Sequence, residues 1–427
     1  MNSFFNNYYS FFKKKCIFFF SFYITLILIA SLWLDILVDS HRWMDGAEYV
    51  ERAKRIDLLN LNFQSLKDGL RPPLYPLVLH MLSILFPFNL TIVAKIFNLL
   101  CLGAMPCILY LLSQKDSSNY IKKIYFIKIN LLLIFLPNFY FADLVYAEVL
   151  TILIFNVFLY YLLSYCYNNS FNLKKKIIIC ILFASLFYLK SNLILLGFCL
   201  GLIVIKNLKK NIKSFIYIGL LTSILVLPWF FYMFNLTGQI KGSNSQHVNR
   251  LTGMGLDVVY GQNLDTFHGR FLSKAYKDNN EIIHWFKYYR TNMNEDALIK
   301  IHAISVEGNQ SREALSKLSI EKIWEHSKKI QIIYSFLKIP HLFGMNLRDY
   351  QDYAIFAYFV FVFCFGILIR KIKNLKIFLY INLLVLVGLL IQTFLYFPTL
   401  RYSIYLLNSS LLIIAGFCFL LVKKKKA

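Results

Sequence analysis

The sequence predicts an all-α polytopic membrane protein of about ten transmembrane helices, with interfacial helices in the first outer loop and a small, mostly helical outer cap. Three observations predict it. Of 427 residues, 58% are hydrophobic and 16% charged, a balance foreign to soluble domains. Apolar runs near spanning length recur along the chain, and lysine clusters stand at their ends. The acidic residues gather in the stretches that those clusters leave on the other side. In a soluble chain the net charge of +24 would point to nucleic acid. Placed at the ends of apolar runs it reads as positive-inside topology, so no nucleic-acid partner is expected.

Lys13, Lys14 and Lys15 precede an apolar run over 16–34 that extends to Val38. No small-x-small cleavage site follows, and the run outlasts the apolar region of a signal peptide. It reads as a signal anchor retained as the first transmembrane helix. Further runs fall at 90–112, 125–141, 144–164, 177–189, 192–205, 214–236, 353–369, 377–397 and 402–422. Between them lie basic clusters at 115–123, 174–176, 206–213, 370–376 and 423–426. Assigned to the cytoplasm, these clusters put both termini inside. Residues 73–86 are apolar but only fourteen long, and counting them as a crossing would put Lys115, Lys122 and Lys123 outside. They are therefore expected to form an interfacial helix on the outer face. The run 177–205 lies between two basic clusters and must cross an even number of times. It is expected as a short hairpin with Lys190, Ser191 and Asn192 at its outer tip, each arm about 20 Å long.

Of the 22 acidic residues, only Asp116 falls in an expected cytoplasmic loop, so the polar chemistry belongs to the outer face. The eight cysteines lie mostly within apolar runs, which argues against a disulfide framework and a Cys-x-x-Cys metal site. Three regions follow: an N-terminal transmembrane module, 1–237, whose first outer loop is 39–89; an outer cap, 238–352; and a C-terminal transmembrane module, 353–427. The cap carries six of the eight histidines, at spacings that match no zinc signature. Patterning over 281–300 and 312–337 predicts helices there.

The first outer loop organises the chemistry. Residues 42–76 hold Asp45, Glu48, Glu51, Asp57 and Asp68, and end in Arg71-Pro72-Pro73-Leu74-Tyr75-Pro76. Asp45, Tyr49, Arg52 and Ile56 share one face of a helix, and the two prolines forbid a helix through Arg71. A solvated amphipathic connector has the same pattern. Elsewhere, polar residues stand where a membrane makes polarity costly. Asp143 and Glu148 open the 144–164 crossing, with Glu148 about a turn and a half inside. A carboxylate at a helix centre costs ~2.5–3.5 kcal/mol on insertion scales and less near the interface. Lys190 sits at the hairpin tip, and Arg401-Tyr402 opens the last crossing, where an arginine also snorkels readily. Cations at that depth suit a lipid-linked phosphate, and carboxylates suit deprotonation or orientation of an acceptor hydroxyl. The substrate so described has a polyprenyl tail in the bilayer, a phosphate at the interface and a sugar above it.

The order Asp45-x-x-x-Tyr49-x-x-x-Ala53, then Arg71 to Pro76, Glu148, Lys190 and a late Arg401-Tyr402, resembles the GT-C superfamily of membrane glycosyltransferases. Within it, the chain looks like bacterial relatives of the dolichyl-phosphate-mannose protein mannosyltransferases and the lipid A aminoarabinose transferase. The resemblance covers most of 1–235 and the last fifty residues, and nothing of 238–352. It implies a GT-C-like fold in the bacterial cytoplasmic membrane. It also implies transfer of a sugar from a polyprenyl-phosphate donor to an acceptor glycan, lipid or protein. Asp45 would be the catalytic carboxylate and Glu148 its partner, with Asp143 competing for that second role. Tyr49, Arg71, Lys190, Arg401 and Tyr402 would line the substrate, Lys190 and Arg401 holding its phosphate. The chain departs from the family at Gly46, where an acid often follows the aspartate. No cofactor is expected, and a divalent metal bridging Asp45 and Glu148 would need a denser acidic cluster. Rival classes are a flippase or transporter of lipid-linked sugars and an envelope polysaccharide polymerase. Transporters favour midplane ionisable groups and inverted repeats, and neither is legible in this sequence.

A reporter fused after Lys122 is expected in the cytoplasm, and one fused near Gly69 or Asn280 outside. An external reporter at Lys122 would make 73–86 a crossing and overturn the topology.

Overall fold

In a membrane the backbone must satisfy its own hydrogen bonds, and a helix does so within one segment. In the computed structural model every regular element among the described residues is accordingly helical. The described residues are 44–57, 71–116, 118–133, 145–168, 173–191, 212–238, 246–259, 267–292, 306–337, 376–395 and 408–416, with 193, 240, 242, 261, 405 and 418. The expected crossings at 16–34 and 353–369 lie outside them, as does all but Leu193 of 192–205.

The first outer loop contributes α1, Met44–Lys54, and α2, Leu74–Leu85. The face predicted from spacing is the one α1 buries: Tyr49, Arg52 and Ile56 are all covered, with Val50 and Ala53 beside them. Helix α2 starts directly after Pro72-Pro73, where a missing N–H costs nothing. It stops as Phe86 turns extended ahead of Pro87. Its 12 residues reach about 18 Å, too short for a hydrocarbon layer of ~30 Å.

Five helices of the membrane-type core follow: α3 (Leu90–Gln114), α4 (Asn119–Leu133), α5 (Glu148–Asn168), α6 (Leu173–Leu189) and α7 (Ile212–Thr237). Three stretches among the described residues, Leu90–Gln114, Glu148–Tyr165 and Ile216–Asn235, are long and apolar enough to cross a membrane. Helix α3 begins where Asn89 caps it, the Thr91 N–H donating to Asn89 Oδ1 at 2.9 Å. Its far end is pinned to α5. Asp116 accepts from the Ser118 N–H (2.8 Å) and from the Ser164 hydroxyl (2.5 Å). The Tyr160 hydroxyl lies between the Leu112 carbonyl (2.7 Å) and the Asp116 carboxylate (3.2 Å). The lone acid of the expected cytoplasmic loops is therefore a buried clamp that sets α3 and α5 parallel.

Helix α6 is longer than the arm expected from its apolar run. It begins at Leu173, and its 17 residues span about 26 Å. Lysine is a good helix former, so 174–176 extend the helix rather than end it. Helices α6 and α7 run parallel, since Cys180 Sγ donates to the Ile218 carbonyl and the Tyr188 hydroxyl to that of Leu225. Residues 191 and 212 thus lie at opposite ends of the pair.

Helix α13, Lys376–Leu395, and the helical residues 408–416 pack into the same apolar core as α3 to α5. A buried polar seam ties these parts: Asn156 Nδ2 donates to Asn408 Oδ1 at 3.1 Å, and Ser409 Oγ to Asn382 Oδ1 at 3.1 Å. The cap has its own core, built by α8 (Gln246–Met254), α9 (Leu256–Val259), α10 (Phe267–Tyr276), α11 (Asn280–Asn292) and α12 (Val306–Leu337). Helix α12 contains the predicted 312–337, and α11 covers 281–292 of the predicted 281–300, whose remainder lies outside the described residues. The short amphipathic helices α8 to α10 were not foreseen, because each is under one heptad pair and their apolar stripe is seen only against α12. Helix α12 kinks at Ser327, whose φ is −134°.

Gly255 joins α8 to α9 with φ of +112°, and a Cβ there would stand 2.7 Å from Leu272 Cδ1. Gly255→Ala is expected to destabilise the cap by about 1–3 kcal/mol. Gly238→Ala, at φ +67° with open space around it, is expected to cost about 1 kcal/mol. Thermal unfolding of the purified variants checks the order, and equal midpoints would refute the packing described.

Candidate functional site

The candidate site lies where α3 and α5 begin and α6 finishes. Helices α5 and α6 form a helical hairpin, so the first residue of one adjoins the last turn of the other. Glu148 opens α5, and Lys190 closes α6 with its N–H on the Leu186 carbonyl at 2.9 Å. Lys190 Nζ donates to Glu148 Oε1 at 2.6 Å, with side chains 10% and 2% exposed. Each charge also suits its own helix: a carboxylate at an N-terminus and an ammonium at a C-terminus gain roughly 0.3–1 kcal/mol apiece. Glu148 was expected a turn and a half inside the crossing. The structure instead starts the helix at Glu148, because residues 145–147 are a non-helical lead-in. The carboxylate thus stands at the mouth of the helix, where its oxygens reach a partner across the hairpin.

A second ionic cluster is built from the first outer loop. Glu48 Oε1 accepts from Arg52 Nε (3.2 Å) and Nη2 (2.9 Å), one helical turn along α1. Glu48 Oε2 accepts from Arg71 Nε (3.1 Å) and Nη2 (2.9 Å), 23 residues on. Each carboxylate oxygen thus receives a two-pronged guanidinium, the strong form of charge-assisted hydrogen bond. Glu48 thus bridges the two arginines. The Arg71 guanidinium also stands 5.6 Å from the centre of the Tyr49 ring, a cation–π contact. His80 Nδ1, 3.0 Å from the Ala53 carbonyl, ties α2 back to α1.

Tyr75 joins the two clusters. Its ring meets that of Tyr49 edge-on, 5.0 Å between centres at 88°. It is fully buried. Asn98 on α3 is the polar side chain beside its hydroxyl. Burial pushes the phenol well above its ordinary pKa, with Tyr49 and the charge of Glu148 adding to the rise and Asn98 opposing it. Tyr75 therefore remains neutral, able to donate and accept.

Of the residues singled out from sequence, the structure brings Glu148 to Lys190 and Arg71 to Tyr49. Asp45 lies in α1, one turn ahead of Tyr49, and its side chain is outside the described residues. Asp143, Arg401 and Tyr402 also fall outside them. Glu48 and Tyr75 were missed. The Glu48–Arg52 spacing was a legible signal, whereas Tyr75 was visible only as part of the proline motif. Lys95 and Lys128, inside runs read as apolar, are fully buried. Lys128 Nζ donates to Asn156 Oδ1 at 2.7 Å and stands 5.5 Å from the Tyr125 ring centre. The expectation of no ionisable group within the helical core is thereby corrected: a lysine can be housed there when an amide oxygen and an aromatic face replace water. Among the described residues, no three His, Cys, Asp or Glu side chains are grouped to hold a metal ion.

Comparison of the chain with protein-family models, with curated proteins and with solved structures finds no match. The site is therefore interpreted from its own geometry.

Lys190→Met is expected to destabilise the protein by about 3–5 kcal/mol, because it strands the Glu148 carboxylate in a buried position. The double variant Glu148→Gln/Lys190→Met is expected to recover most of that loss. Thermal unfolding of the two variants tests the pair, and additive losses would show that the ions are not coupled.

Proposed function

We propose that this chain is a membrane glycosyltransferase of the GT-C type. It moves a sugar from a polyprenyl-phosphate donor to an acceptor hydroxyl on a glycan, lipid or protein at the outer face of a bacterial cytoplasmic membrane. One observation carries the reading: a buried Glu148–Lys190 pair and an ionic Glu48–Arg52–Arg71 cluster converge on Tyr49 and Tyr75 at one end of an apolar helical bundle. That combination of carboxylates, cations and apolar walls fits an amphiphile with a phosphate at the interface. Ten crossings, both termini in the cytoplasm and a site facing outward complete the proposal.

In the proposed reaction the acceptor oxygen attacks the anomeric carbon, and its proton passes to Asp45. The bond from that carbon to the phosphate oxygen breaks, and polyprenyl phosphate leaves with the electron pair. A single displacement inverts the anomeric centre. Lys190, Arg71 and Arg401 stabilise the phosphate, and positioning supplies much of the acceleration. A phosphate drawing Lys190 toward itself loosens the ammonium from Glu148, which then orients the acceptor hydroxyl. Asp143 is the alternative for that second acidic role.

Lys128 favours a second reading, a transporter of lipid-linked sugars, since ionisable groups within a helical core are common along transport pathways.

Asp45→Asn is expected to lower transfer by about 10²–10⁴-fold with protein amount unchanged, while Asp57→Asn stays near wild type. Lys128→Met separates the readings: transfer by isolated membranes survives it in a glycosyltransferase, and lipid-sugar translocation is lost in a transporter. Product analysis by mass spectrometry reads both. Equal transfer by Asp45→Asn and Asp57→Asn would sink the mechanism.

A further inference from the structure

We infer that the last turns of α12, residues 328–337, dock on the lipid leaflet beside the bundle. Lys328 and Lys329 lie on headgroup phosphates, and Ile332, Ile333 and Phe336 enter the acyl chains. The inference rests on the membrane setting of the bundle and is independent of the reaction proposed above. Its starting point is a change along one exposed helix face. Ahead of the kink at Ser327 that face carries Lys317, Glu321 and Glu325, and Glu325 is paired with Lys322 at 2.9 Å. Past the kink come Lys328 and Lys329, both exposed, and then three large apolar side chains. Ile332, Ile333 and Phe336 are 46%, 51% and 58% exposed. Their i, i+1, i+4 spacing puts them on one side of the helix. The opposite side is already committed to the cap. Tyr334 there is fully buried, and Gln331 Nε2 donates to the Met254 carbonyl at 3.0 Å. The cap core therefore leaves the three apolar side chains outside it.

The order of side chains along the face selects the occupant. Charged residues, then ammonium groups, then apolar groups is the order met on passing from water through headgroups into hydrocarbon. From Lys328 to Phe336 the helix rises about 12 Å, close to the depth of ~5–10 Å at which amphipathic helices bury their apolar face. Lysine stems lie along apolar surface while their heads reach the phosphates. Trp324, a turn before the lysines, is 36% exposed, and its ring suits the headgroup level. Helix α12 also packs against α13, a helix of the apolar bundle, so this end of the cap reaches the level that lipid surrounds. A second copy of the chain is a poorer occupant. In a two-fold interface the face meets itself, which crowds the lysines of both copies into one patch. Among the described residues neither lysine makes an ion pair, and lipid phosphates supply the counter-charge.

The test uses the full chain in nanodiscs of phosphatidylcholine with phosphatidylglycerol. An environment-sensitive dansyl amino acid replaces Ile333 in one sample and Glu325 in another. At 333 the probe is expected to be quenched by lipid brominated on its acyl chains and shielded from aqueous iodide. At 325 the order is expected to reverse. Lys328→Glu/Lys329→Glu is expected to shift the probe at 333 toward iodide, since each lysine contributes about fivefold to docking. Lys317→Glu, ahead of the kink, is expected to leave it unchanged. Quenching at 333 by iodide alone would place the face in water and overturn the inference. Quenching by neither would mean that protein covers it, another segment of this chain or a second copy, and would overturn it equally. An unaltered probe in the lysine double variant would overturn the headgroup assignment.

Discussion

A charge taken out of water must find an opposite charge or a full set of hydrogen bonds, and the Glu148–Lys190 pair is where this chain meets that demand most strictly. The two residues come from the open ends of one helical hairpin, so the pair is satisfied only if α5 and α6 are aligned end to end. Alignment of that hairpin in turn sets where α2 docks, because α2 packs on α6 as well as on α3. The ion pair thus reaches beyond its own two helices. It determines which residues of the first outer loop face the bundle.

The first outer loop answers with an ionic lock of its own. Glu48 holds an arginine from its own helix and another from just before the proline pair, so the chain on both sides of residues 58–70 is fixed by one carboxylate. An amphipathic connector left in solvent would have had its arginines exposed. Arg52 is instead buried, and the face that carries it is the packing face of α1. At the other end of the bundle Asp116 clamps α3 to α5, and between the ends Lys128 and Asn156 continue the polar seam to Asn408. Polar groups inside this core are joined in networks, as the low dielectric requires.

The functional reading follows from the same physics. Guanidinium groups at Arg52 and Arg71, a paired carboxylate and ammonium, and a neutral phenol are three different kinds of partner for one ligand. A molecule that joins a phosphate to a hydroxyl-rich ring and an apolar tail is complementary to all three. The cap begins directly after α7, whose Trp229 indole donates to the Gly242 carbonyl at 2.8 Å. It is therefore attached to the bundle near the end at which the site lies.

Much of the fold was determined by the sequence alone. Long apolar runs must become helices where water is absent, and two prolines must begin a new one. The buried face of α1 was legible from Tyr49, Arg52 and Ile56, since a helical period needs no partner to be seen. Glu148 and Lys190 were legible as costly residues, each marked by its apolar surroundings. Only the tertiary structure decided that they pair, because residues 42 apart meet through the geometry of a hairpin rather than through any local spacing. It alone decided that Glu48 is the hub of the outer loop, that α5 starts at Glu148, and that Lys128 is housed inside the bundle. Contacts between residues far apart in the chain are a property of packing, and no local spacing announces them.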